Sequence, residues 1–124
     1  MTAYELLGRE DGIRRLVDRF YEHMDTHPDA AVIRAMHAKD LTQSRHRLWM
    51  FLVGRFGGPQ LYLEERGHPR LRGRHMPFAV DQAAADAWML CMNLALEEQV
   101  DEGPARTELS AFFSMVANHM RNQP

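Results

Sequence analysis

Ile13, Leu16, Val17, Phe20, Tyr21 and Met24 stand at i, i+3, i+4, i+7, i+8 and i+11, the recurrence of one buried face on a helix. Three further stretches repeat that spacing: Leu48, Phe51, Leu52 and Phe56; Ala85, Trp88, Met92, Ala95 and Leu96; and Leu109, Phe112, Phe113, Val116, Ala117 and Met120. No stretch alternates with period two, and no internal repeat interrupts the pattern. The fold class expected is therefore all-α. Four long helices with short connectors imply antiparallel pairs packed around a shared core.

Boundaries follow from local chemistry. Thr2 and Glu5 form a capping-box pattern that starts a short first helix reaching about Leu7. Asp11 is read as the N-cap of the long helix that follows. Pro28 breaks that helix, and Ala30 to Met36 reads as a brief second one ending near His37. A four-turn helix from Thr42 stops at Gly57-Gly58-Pro59. Gln60 to Arg66 is ambiguous by periodicity. Asp81 caps the next long helix, and Gly103-Pro104 separates it from the last.

At 124 residues the chain is expected to form a single domain over 1–124, large enough to bury a core without disulfides or structural metals. A hydrophobic content of 45% and a formal charge of -2 describe a soluble protein rather than a nucleic-acid-binding arm. One cysteine, Cys91, rules out an intramolecular disulfide and fits a reducing compartment. No apolar run approaches the roughly 20 residues needed to span a bilayer, and the N-terminus lacks a signal-peptide pattern. A cytoplasmic protein with no membrane partner is the expectation.

The richest chemistry lies in Gly67 to Val80, GHPRLRGRHMPFAV. It holds two histidines seven residues apart, arginines at 70, 72 and 74, and Pro77 two residues after His75. A neutral imidazole in a helix's last turn is a good axial ligand for haem iron, its other nitrogen donating to a carbonyl one turn earlier, near Leu71. A surface histidine beside a basic turn satisfies the same spacing, so residue pattern alone leaves both readings open. His23 and His27 are four apart, but HMDTH lacks the glutamate of the HExxH zinc signature, which leaves them as exposed histidines at a helix end.

Five motifs in order resemble those of one family: RFY at Arg19 to Tyr21, M-H-x-K-D-L at Met36 to Leu41, GGP-x-x-Y at Gly57 to Tyr62, GHPRLRGRHMPF, and D-x-W-x-x-C-M at Asp86 to Met92. Together they resemble the group II truncated haemoglobins over nearly the whole chain. The resemblance implies a two-over-two helical sandwich with haem b between its helix pairs. It implies His75 as the proximal iron ligand, with His68 not bound to iron. Tyr21, Trp88 and His37 match the family's distal positions, where each would set the stability of a ligand; the family also places phenylalanine or tyrosine where His37 stands. Ser44 and Leu48 match distal-pocket positions.

Further contacts are expected within the same reading. Phe51, Leu52, Leu71, Met76, Phe78 and Met92 are candidates for apolar contact with the haem faces, though each also satisfies ordinary core packing. Arg47 or Arg74, with Tyr62 and His68, would pair with the anionic propionates. Two departures from the family pattern stand out. Gly8-Arg9 replaces paired glycines at the first corner, and Ala38 replaces a common proline, which would loosen that turn.

The function expected is reversible binding of dioxygen and other diatomic ligands at a His-ligated iron, by a monomer or a homodimer. An enzymatic alternative uses the same haem for peroxidase-like or nitric-oxide-detoxifying redox chemistry, with a possible reductase partner. A third reading takes Arg70, Arg72 and Arg74 as a phosphate- or nucleic-acid-binding strip. The negative net charge and the lack of an extended basic face argue against nucleic acid.

Overall fold

In a computed structural model, which describes residues 1–67 and 78–123, Thr2 opens the chain as expected. Its Oγ1 accepts from the Glu5 N–H at 3.1 Å and the Glu5 carboxylate accepts from the Thr2 N–H at 3.4 Å. This capping box starts α1 (Ala3–Leu6). The Tyr4 N–H donates to the Phe56 carbonyl at 3.0 Å, which docks α1 on the far end of a later helix.

The next helix, α2 (Arg9–Thr26), corrects one expectation. Gly8, not Asp11, is its N-cap residue, with φ 95° and no side-chain cap. Asp11 lies in the first turn, where its charge favours the positive end of the helix dipole without capping it. Gly12 explains why the helix starts early: a Cβ there would lie 1.6 Å from the Leu7 carbonyl oxygen. α1 and α2 therefore meet closely at that point. Ile13, Leu16, Val17 and Phe20 are fully buried, each contributing roughly 1.5–3 kcal/mol before chain entropy is set against it.

His27 is extended and its Nδ1 accepts from the Asp29 N–H at 3.1 Å. A 3-10 turn, Pro28–Ala30, leads into α3 (Ala31–Ala35). The corner after α3, which Ala38 was expected to loosen, is held by one guanidinium: Arg34 donates to the carbonyls of Ala38 at 3.0 Å and Lys39 at 2.8 Å. α4 (Thr42–Arg55) ends where Gly57 takes φ 109°. The ambiguous stretch after it forms α5 (Leu61–Arg66).

Asp81 caps α6 (Gln82–Gln99), accepting from the Ala84 N–H at 2.8 Å. Pro104 sits in the first turn of α7 (Pro104–His119), where its missing N–H costs nothing. Helix α2 packs on both α4 and α6, and α6 packs on α7. The result is two helix pairs, α2 with α4 and α6 with α7, laid over one another in the expected two-over-two sandwich. Among the described residues no helix is long and apolar enough to cross a membrane.

Candidate functional site

A cavity of about 510 Å³ opens between the helix pairs. Its walls come from all four long helices, α2, α4, α6 and α7. Tyr21 and Phe20 illustrate how the site is set. They are adjacent on α2, their rings meet edge to face at 4.9 Å, and Phe20 fills the core while Tyr21 lines the cavity.

The three expected distal residues converge on this space. Trp88, from α6, lines it and is wedged between Phe20 at 4.9 Å and Phe113 at 5.9 Å. These contacts set the plane of the indole. Its Nε1 has no hydrogen-bond partner among the described residues, unlike Trp49, whose Nε1 donates to the Glu10 carbonyl at 2.8 Å. Tyr21 is buried and its hydroxyl donates a long bond of 3.4 Å to the Ser44 carbonyl. Burial pushes its phenol well above the ordinary value, partly opposed by the nearby Arg47 and Arg45 cations.

His37 lines the same cavity, its ring 5.9 Å from that of Tyr21. Its Nδ1 is 2.8 Å from the Ile33 carbonyl oxygen. A carbonyl can only accept, so Nδ1 carries the proton and the neutral ring has its basic nitrogen at Nε2. No sequence pattern announces this tautomer; it comes from the backbone geometry at the end of α3.

Ser44, Leu48, Phe51 and Leu52, on successive turns of α4, all border the cavity, as do Tyr62 of α5 and Phe78. Arg47 borders it too and forms no ion pair among the described residues. Met92, expected at a haem face, is fully buried in the core and is not among the lining residues. His75, His68, Leu71, Arg74 and Met76 lie outside the described residues, as do Arg70 and Arg72.

Several walls were not expected as site residues. Phe112, Phe113, Val116, Ala117 and Met120 of α7 close one side, and Ala84 and Ala85 of α6 leave room beside Trp88. The apolar face of α7 was visible in the sequence, but periodicity cannot tell a face that meets a neighbouring helix from one that meets a cofactor. Ile33 and Met36 add to the wall beside His37.

The donor set and walls fit a haem. Apolar side chains suit the flat macrocycle, while Arg47 and Tyr62 supply a cation and a hydroxyl of the kind that carboxylate side groups need. Two other features stay outside the site. Cys91 is buried and its thiol is pushed up to about 11 by burial, so it is not a reactive thiolate. His23 and His27 are both half-buried rather than exposed. They are engaged separately, His23 Nε2 lying 3.1 Å from Glu98. No cluster of three or more metal-ligating side chains occurs among the described residues.

Comparison with known proteins gives the same picture at the level of whole chains. The profile of the bacterial-like globins matches residues 2–122. The group 2 truncated hemoglobin YjbI of Bacillus subtilis (strain 168) is 41% identical over 122 residues, 98% of this chain and 89% of that protein. The group II 2-on-2 hemoglobin of the plant pathogen Agrobacterium tumefaciens superposes with a TM-score of 0.94 at 40% identity, covering 100% of this chain and 96% of that one. A truncated oxygen-avid haemoglobin from Bacillus subtilis superposes with a TM-score of 0.88 at 39% identity, covering 98% and 100%.

Proposed function

Because this chain belongs to the bacterial-like globin family, and within it to the group II truncated haemoglobins, which implies a haem-binding globin, we propose that it binds dioxygen and other diatomic ligands reversibly at the iron of haem b, with His75 as the protein ligand to that iron. When bound, haem supplies the metal at which such ligands attach. The chain's own residues determine how long they stay. Bound dioxygen draws negative charge, and a donor in a dry pocket stabilises it by about 1.5–3 kcal/mol at the strong end.

Trp88 carries this reading. An indole that lines the cavity, packed between Phe20 and Phe113 and with no N–H partner among the described residues, leaves a donor to offer a guest in the cavity. Tyr21 is the second donor. Its existing bond to the Ser44 carbonyl is long, so exchanging it for a bond to a ligand costs little. Arg47 and Tyr62, together with Arg74 and His68, are assigned to the propionates. The oxygen-avid relative supports the choice of dioxygen.

The test is spectroscopic. Haem reconstitution should give a Soret band, with ferric, ferrous and carbonyl forms, and His75→Ala should abolish stable haem binding. Trp88→Phe should speed oxygen dissociation by about tenfold or more, the equivalent of roughly 1.4 kcal/mol per tenfold. A reconstituted sample without a Soret band rules the function out; an unchanged dissociation rate in Trp88→Phe removes the indole from its role.

A further inference from the structure

We propose that Asn122 is a positioning residue for haem. Its side-chain amide fixes a stretch of cavity wall that no helix holds, Phe78–Val80, and with it the chain that joins His75 to α6. The inference rests on the haem reading above, in which His75 is the iron ligand.

Phe78 and Val80 both line the cavity but belong to no helix, so no helical ladder of backbone bonds sets their place and their polar groups need partners elsewhere. The residues after α7 supply them. The Val80 N–H donates to Asn122 Oδ1 at 2.8 Å, and Asn122 Nδ2 donates to the Phe78 carbonyl at 2.8 Å. These two backbone groups flank Ala79 and meet one primary amide, which carries a donor and an acceptor side by side. The partners also fix which way the amide faces, since an N–H can only donate and a carbonyl can only accept. Two backbone bonds reinforce the clamp: the N–H groups of Asn122 at 2.9 Å and Gln123 at 3.2 Å both donate to the Val80 carbonyl.

The clamp joins one wall of the cavity to another. Met120, at the end of α7, is buried and lines the cavity, so the same tail that supplies this wall residue holds Phe78 and Val80 against it. His75 precedes Phe78 by three residues, and Pro77 lies between them, where its ring removes one of the few backbone rotations in the link. A shift of the Phe78 backbone is thus passed to His75 over a short span. Trp88 and Tyr21 stand instead on long helices and are packed on Phe20 at 4.9 Å each. Asn122 therefore bears on how firmly haem is held and how the histidine meets the iron, and not on the donors offered to a bound ligand.

The experiment uses haem-loaded protein and reads two quantities: haem release from the ferric form to excess apomyoglobin, and the iron–histidine stretching band of the ferrous form. Asn122→Ala should speed release by about tenfold, the scale of one or two lost hydrogen bonds, and shift or broaden the band. Its oxygen dissociation rate should stay within about twofold of native, because the distal donors are untouched. Asn122→Asp keeps an acceptor for the Val80 N–H but sets a carboxylate against the Phe78 carbonyl; it should move release and band in the same direction, and serves where the alanine variant folds poorly. Gln82→Ala cuts a neighbouring tie, the 2.6 Å bond that Arg121 donates to Gln82, without touching Phe78–Val80, and should release haem at close to the native rate. Native release in both Asn122 variants, or equally fast release in Gln82→Ala, overturns the inference while leaving the haem reading intact. Faster release with an unmoved iron–histidine band also overturns it, since that marks an ordinary fold contact. Native protein with no Soret band, or with no iron–histidine band, overturns the haem reading and this inference with it.

Discussion

Arg9 stands at φ 62°, directly after Gly8 at φ 95°, so two consecutive residues occupy left-handed backbone where the family pattern has paired glycines. The left-handed region costs a residue with a Cβ about 1–2 kcal/mol. Replacing it with glycine returns part of that gain as unfolded-chain entropy, about 0.5–1 kcal/mol. Arg9→Gly is therefore expected to stabilise the protein slightly, raising the melting temperature by roughly 2–5 °C in a thermal melt; a lower melting temperature would show that the arginine side chain compensates for its backbone. The departure at this corner was readable in the sequence, but its form was not, because a positive φ leaves no mark on residue identity other than the absent glycine. The same limit applies in the site. Tyr21 and Trp88 are legible as polar tips on apolar helix faces that also match family motifs, and His37 by its match to a family motif alone. Which nitrogen of His37 is basic depends on the Ile33 carbonyl, and a backbone oxygen is identical at every position in a sequence.

The helices were legible where a period of 3.6 runs for several turns, as in α2, α4, α6 and α7. The six residues of α5 are too few for periodicity to emerge. At the start of α2, Asp11 has the right chemistry for a cap and Gly8 has none, yet Gly8 is the N-cap, because the close approach at Gly12 sets where the helix begins. Side-chain ties between helices were also invisible. On the outer edge of α2 and α6, Arg19 bonds Glu98 at 2.7 Å and also pairs with Glu22, while His23 approaches Glu98 at 3.1 Å. The Arg19 guanidinium, with a smaller contribution from His23, draws the Glu98 carboxyl down from 4.5 to about 2. A carboxyl lowered on folding adds stability that is present above its unfolded value and disappears as pH falls through the folded one. Glu98→Gln should thus flatten the acid dependence of stability between about pH 4.5 and 2. With the side chain 41% exposed, screening keeps the loss at pH 7 to about 1 kcal/mol or less, and added salt should shrink it further. Denaturant melts of both proteins at pH 7, 4 and 2.5 would reveal parallel curves if the network contributes nothing.

At the scale of the molecule, the cavity and the core cannot be separated. Tyr21, Leu52 and Phe113 belong to the buried core cluster, Trp88 packs against it, and all four line a space of about 510 Å³. The helices that border this space are also packed on one another, α2 on α4 and α6, and α6 on α7. The Phe78–Val80 segment at the cavity edge is held the same way: Asn122 accepts from the Val80 N–H at 2.8 Å and donates to the Phe78 carbonyl at 2.8 Å. A ligand that fills the cavity in the folded chain and has no site in the unfolded one stabilises by mass action, about 4 kcal/mol when its concentration is a thousand times its Kd. For a chain of this size that is a rise of roughly 10 °C or more in melting temperature. Haem-loaded protein is expected to melt that far above haem-free protein in scanning calorimetry, with His75→Ala recovering little of the difference when mixed with the same haem. Coincident melting of loaded and haem-free protein would mean that the cavity is stable empty and that haem contributes nothing to holding the two helix pairs together.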